Sequence, residues 1–121
     1  MLTKNIAIEK ANQFIRVLQQ NGFAPEKAIL FGSTVNNNIH EFSDIDLAIW
    51  DKKFVGMPHI DIEKTYKLLR AFKQIELHPY NSADTEETNP FIEVIKKTGI
   101  QIPINDINLV NEPNEDFDNE K

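Results

Sequence analysis

The sequence predicts a single small α/β (α+β) domain: a mixed sheet of about four strands, with about three helices packed on one side. Apolar residues recur at helical spacing in 5–22 and in 59–72, so each segment is expected to form a helix with one apolar face. Residues 44–50 and 73–80 instead alternate in polarity, as strands with one buried face do. Helices that alternate with strands along a chain indicate helices layered on a sheet.

Three further elements complete the predicted order. Residues 28–31 are continuously apolar, which is typical of a strand that is buried on both faces. A third helix is expected over 89–99, because Asn89 can cap it and the next residue is a proline, which suits the first helical position. The alternation resumes over 100–104, and Pro103 places that fourth strand at an edge of the sheet.

Composition and charge exclude several classes of protein. A chain of 121 residues suits one domain, and the lack of cysteine rules out disulfides and thiolate metal sites. The sequence has no apolar stretch near the ~20 residues that span a bilayer, so we expect a cytoplasmic protein with no membrane partner. A formal charge of −6 argues against a dedicated nucleic-acid surface, which is usually basic.

The charge is concentrated at the end of the chain. Residues 111–121 hold five acids and one lysine, which leaves a formal charge of −2 for the rest. This end has almost no apolar side chain to bury. We therefore predict a folded domain over 1–110 and an acidic, disordered tail over 111–121.

Two acids lie on one face of the second predicted strand. Asp44 and Asp46 are two residues apart, so their side chains point the same way about 7 Å from each other. Like charges on one face repel, and a divalent cation between them would compensate. Upstream, Gly32 and Ser33 close the apolar first strand, where a glycine lets backbone N–H groups approach a ligand closely.

The pattern Gly32-Ser33, ten residues, then Ser-Asp44-Ile-Asp46-Leu resembles the signature of the polymerase beta-like nucleotidyltransferases. It is most similar to their minimal nucleotidyltransferase (MNT) domains. The resemblance implies that Gly32 and Ser33 hold a nucleoside triphosphate, and that Asp44 and Asp46 are catalytic and bind Mg²⁺.

The resemblance also points to a third acid on the strand after the second helix. Glu76 is the only acid between residues 70 and 80 and has the parity of that face, so we assign it as the third catalytic carboxylate and metal ligand. We expect its carboxyl group within ~8 Å of that of Asp46. His78 has the same parity and can line the cleft, but the three histidines lack the spacing of a helical ligand pair.

The chain departs from the family pattern in two respects. Glu76 stands where the family more often has an aspartate, and the residues after the Gly-Ser turn differ. Many MNT domains carry an arginine soon after the Gly-Ser turn, and this chain has Val35, Asn36 and Asn37 there. Asparagine donates hydrogen bonds but supplies no charge to a phosphate.

Three functions follow from the resemblance. The first is transfer of AMP from ATP, with two Mg²⁺ ions, to a hydroxyl acceptor. The acceptor expected is a tyrosine of a HEPN-type helical toxin, so that this chain is the antitoxin of a HEPN/MNT pair. The second is a catalytically weak or inactive binding module of the same fold that neutralises its partner. The third is a small-molecule nucleotidyltransferase acting on aminoglycoside-like acceptors.

Overall fold

The computed structural model describes residues 2–36 and 44–105 of this chain. Three helices and four strands follow one another as the sequence predicts, with one 3₁₀ turn after the first strand. In chain order they are α1 (Lys4–Gln20), β1 (Lys27–Phe31), the 3₁₀ turn (Gly32–Thr34), β2 (Ile45–Asp51), α2 (Pro58–Leu69), β3 (Ile75–Asn81), α3 (Phe91–Thr98) and β4 (Ile100–Ile102).

The four strands form one mixed sheet in the order β3-β2-β1-β4. β1 runs antiparallel to both β2 and β4, while β2 and β3 are parallel and α2 makes the crossover between them. The predicted mixed four-stranded sheet and the edge position of β4 are confirmed. In this register Phe31 is paired with Asp46, and Asp46 with Glu76. The end of β1 and the two acids therefore lie side by side.

One face of the sheet carries the larger part of the core, where α1 and α2 pack. The alternating residues Ile45, Leu47 and Ile49 of β2 are fully buried on this face. Phe14 and Leu18 of α1 are fully buried in the same cluster. Burying each such side chain contributes about 1.5–3 kcal/mol, so this layer is the main source of stability.

The predicted placement of all three helices on one side is wrong for α3. Its buried residues Ile92 and Ile95 belong to a second cluster on the opposite face of the sheet. The strand residues in that cluster are Ile29, Phe31, Ala48, Trp50 and Tyr80. β1 presents apolar side chains on both faces, so the second face also needs a cover, and α3 supplies it.

Helix ends follow from local sequence signals. Gly22 has φ +90°, and the N–H of Phe23 donates to the carbonyl of Leu18 at 3.0 Å, which is the hydrogen bond of a Schellman motif. The predicted cap of α3 is also present, because Asn89 Oδ1 accepts the N–H of Phe91 at 3.1 Å.

Several predicted features fall outside the described residues: residues 37 and 38 of the asparagine run, the domain boundary at 110 and the acidic tail 111–121. In the part of the chain that the structure describes, none of the helices has the length and apolar character needed to cross a membrane.

Candidate active site

The Gly-Ser turn lies where β1 meets the loop that precedes β2. Gly32 has φ +81°, a conformation that side chains with a Cβ rarely adopt, so the chain can turn sharply at this point. The N–H of Val35 donates to the carbonyl of Gly32 at 3.1 Å and closes the 3₁₀ turn. Ser33, in the middle of the turn, is partly exposed. The predicted turn is thus present, with Ser33 open to solvent.

Gly32 also lies against one of the predicted acids. A Cβ at this position would collide with the carboxylate of Asp46. The lack of a side chain therefore lets the turn and Asp46 approach each other, a contact that the sequence did not suggest. The predicted phosphate-binding turn and the predicted metal ligand form one continuous surface.

Replacing Gly32 by alanine tests this approach. Gly32→Ala is expected to lower the free energy of unfolding by about 2–3 kcal/mol. Two costs combine in this variant: alanine in a left-handed backbone conformation is strained, and its Cβ collides with Asp46. It should also weaken metal-dependent ATP binding, since Asp46 must move. Urea unfolding and calorimetric titration with ATP measure the two effects.

Gly22→Ala is the matched control for this variant. Gly22 has φ +90°, but a Cβ there meets only the end of the Lys53 side chain, at 3.4 Å. It should cost about 1 kcal/mol and leave ATP binding unchanged. Equal stability losses in the two variants would mean that contact with Asp46 does not constrain the turn.

The structure brings Asp46 and Glu76 together across the parallel β2–β3 pair. They are direct neighbours in register, and their side chains leave the sheet on the face opposite α1 and α2. Their carboxylate oxygens and a nitrogen of His78 all lie within 4.8 Å of one another. The predicted limit of 8 Å between the two carboxyl groups is satisfied.

His78 is the member of this group that the sequence analysis did not select as a ligand. Its Nε2 lies 3.1 Å from Asp46 Oδ1 and 3.8 Å from Glu76 Oε2. The neighbouring Phe31 ring packs against the imidazole in a T-shaped arrangement, with 4.8 Å between the ring centroids. The shared parity of residues 76 and 78 already indicates that both side chains lie on the same face of the strand.

Asp44 occupies a different position from the other acids. It precedes the first residue of β2, is exposed, and does not belong to the converging group. Together with Glu76, Tyr66 and Arg70 it lines an open groove of about 590 Å³ between α2 and β3. The structure therefore places Asp44 beside the acidic pair, and its predicted role as a shared metal ligand stays a prediction.

The chemistry of the converging group fits a divalent cation. Carboxylate oxygens suit Mg²⁺, and an imidazole nitrogen adds a donor that transition ions accept. The three side chains are accessible to solvent, with exposed fractions of 23% for Asp46, 27% for His78 and 55% for Glu76. An ion and a nucleotide can therefore reach them.

Comparisons with known proteins bear on the family and the fold. A family model described as "Polymerase beta, Nucleotidyltransferase" matches residues 12–108. Among solved structures, this chain is similar to one chain of a complex described as "Crystal structure of the toxin-antitoxin with AMP-PNP". The two chains superpose with a TM-score of 0.57 and are 21% identical in sequence. The match covers 81% of this chain and 76% of that chain. None of the curated proteins gives a significant match.

The family match spans most of the chain and contains all five predicted site residues: Gly32, Ser33, Asp44, Asp46 and Glu76. The solved structure shares the fold. This chain therefore belongs to the polymerase beta nucleotidyltransferase family.

Proposed function

We propose that this protein transfers AMP from ATP to a hydroxyl group, and that the acceptor is a tyrosine of a HEPN-type helical toxin for which it is the antitoxin. The observation that carries the proposal is the placement of Asp46 beside Glu76 in the sheet and against the Gly32 turn. The nucleotide and the partner protein named for the structurally similar solved complex support this setting. The reaction belongs in the cytoplasm, where ATP is available.

In the proposed site, Asp46 and Glu76 would hold the divalent cations together with Asp44. Mg²⁺ bound there, as one or two ions, would neutralise charge that develops on the phosphates and on the attacking oxygen. The converging side chains suit a divalent cation because their ligand atoms are carboxylate oxygens and an imidazole nitrogen. Glu76 is the most exposed of the group, which leaves its second oxygen free to face an acceptor.

The turn residues would bind the rest of the nucleotide. Backbone N–H groups near Gly32, together with the Ser33 hydroxyl, suit the β and γ phosphates, because donors in a tight turn form an anion-binding concavity. The acceptor oxygen then bonds to the α-phosphorus, pyrophosphate leaves, and Glu76 accepts the hydroxyl proton. Positioning of the acceptor in line with the departing group sets the rate.

A partner protein is needed because the site is open. The side chains of Asp46, Glu76 and His78 are accessible to solvent, and among the described residues no second domain covers them or would hold an acceptor. The chain itself is acidic, with a formal charge of −6, so the partner is expected to be basic where it docks.

The test first asks whether the gene beside this one encodes a HEPN-type helical protein, and then uses that protein in a transfer assay. With ATP labelled at the α-phosphate, label should appear on the partner and be lost when its acceptor tyrosine becomes phenylalanine. ATP labelled at the γ-phosphate should leave no label on the protein. The chain alone should act very slowly on general acceptors, since nothing holds them in line.

A catalytically inactive binding module is the second candidate. The residues after the turn favour it, because Val35 and Asn36 stand where many relatives carry an arginine for the phosphates. Tight association with the partner, without label transfer and without metal-dependent ATP binding, would establish this alternative. Rapid transfer by the lone chain to a free small molecule would instead establish the third, aminoglycoside-type function.

A further inference from the structure

The converging group differs from an all-carboxylate metal site because it contains an imidazole. His78 follows Glu76 by two residues in β3, so both side chains leave the same face of the sheet. In the register of the parallel pair His78 is next to Ala48, whose small side chain leaves space over β2 in the direction of Asp46. The imidazole fills that space, with its Nε2 directed at the two carboxylates.

The distances match the edges of a coordination polyhedron. In an octahedral site with bonds of about 2.1 Å, neighbouring ligand atoms lie ~3 Å apart and opposite ones ~4 Å apart. His78 Nε2 lies 3.1 Å from Asp46 Oδ1 and 3.8 Å from Glu76 Oε2. Both distances fall in this range, and one ligand atom from each of the three side chains lies within 4.8 Å of the other two, so small side-chain movements would let them share a single ion.

The surroundings hold the imidazole in this orientation. Phe31 is buried at the end of β1, and its ring meets the His78 ring at an interplanar angle of 64°. Phe91 of α3 packs in turn against Phe31, with centroids 5.9 Å apart. The wall behind His78 is thus made of aromatic side chains from β1 and α3.

We infer that His78 is a direct ligand of the ion held by Asp46 and Glu76, and that it makes this site select first-row transition ions over Mg²⁺. Imidazole binds Mg²⁺ poorly, whereas affinity for nitrogen donors rises from Mn²⁺ to Co²⁺. The inference rests on the proposed function, because it concerns the same metal site. It changes the expected cofactor at that position from Mg²⁺ to Mn²⁺ or Co²⁺.

The first measurement is spectroscopic and needs no catalysis. Mn²⁺ is added to the intact chain, and electron spin echo modulation is recorded for the bound ion. Coordinated imidazole should give ¹⁴N modulation, which His78→Gln removes. The matched control is His59→Gln, an identical change at an exposed position of α2, and it should leave the modulation intact.

The second measurement is competition at equilibrium. Mg²⁺ should displace Mn²⁺ from the native chain only at about tenfold or greater excess, and His78→Gln should reduce this preference by about tenfold. Co²⁺ should bind the native chain more tightly than Mn²⁺. Thermal melting in chelator verifies that each variant is folded, and the spectrum of the native chain is informative even where a variant is not.

The outcomes separate this inference from the proposed function. Bound Mn²⁺ without ¹⁴N modulation, or a preference unchanged in His78→Gln, would overturn the role of His78 while Mg²⁺-supported transfer to the partner still stands. Nitrogen coordination without any label transfer would keep His78 as a ligand and reject the transfer reaction. A chain that binds no divalent ion at all overturns both.

Discussion

Asp46→Asn is expected to lower the affinity for divalent cations by at least about 100-fold and to abolish metal-dependent ATP binding and transfer. Asp46 is central to the site, because it pairs with Glu76 in the sheet, contacts His78 and lies against Gly32. The amide keeps the shape of the side chain but removes the charge that holds a cation. Calorimetric titration with Mg²⁺, Mn²⁺ and ATP measures the loss.

The same variant should remain folded. Asparagine still offers an oxygen to His78, and loss of one negative charge beside Glu76 reduces repulsion on that face. In chelator the melting temperature should therefore be unchanged or slightly higher. A clear fall would show that Asp46 serves structure.

Glu9→Gln is a matched control for removal of one carboxylate. Glu9 is exposed on α1, and α1 covers the face of the sheet opposite the acids. Its net charge change equals that of Asp46→Asn, so general electrostatic effects on ATP binding cancel in the comparison. Similar losses in the two variants would argue against a metal site at Asp46.

The order of elements could be predicted because each carries its own periodicity. Phe31 closes an apolar run and Gly32 breaks it. Residues 45, 47 and 49 are all isoleucine or leucine and share one parity, which places them together on the face of the larger core. The pairing of Asp46 with Glu76 needed more than periodicity. It was predicted through the resemblance, since parity fixes the face of a residue but not which residue of the next strand lies beside it.

The features that were missed depend on contacts between distant segments. The side of the sheet that α3 covers is set by where Ile92 and Ile95 find apolar partners, and β1 offers such partners on both faces. The continuous apolar character of β1 already required a cover on each side. The contact of His78 with Asp46 has a related origin, because the two residues meet only when β2 and β3 pair.

Asp61 makes contacts that the periodicity of the sequence does not reveal either. It lies in the first turn of α2 and its side chain is fully buried. Its carboxylate accepts three backbone N–H groups of the preceding loop, from Val55 at 2.9 Å, Gly56 at 2.8 Å and Met57 at 3.1 Å. This loop connects β2 to the helix that makes the crossover to β3, so Asp61 fixes the start of that crossover.

Asp61→Ala should consequently lower the free energy of unfolding by about 3 kcal/mol. The reason is that three partly buried backbone N–H groups lose a charged acceptor, and water reaches them only in part. Asp61→Asn retains one acceptor oxygen and should cost less, about 1–2 kcal/mol.

Glu63→Ala, at an exposed position of the same helix, is the control and should stay within about 0.5 kcal/mol of the native value. Urea unfolding at neutral pH compares the four proteins. An Asp61→Ala variant as stable as the Glu63→Ala control would mean that water replaces the carboxylate, and that the loop does not depend on it.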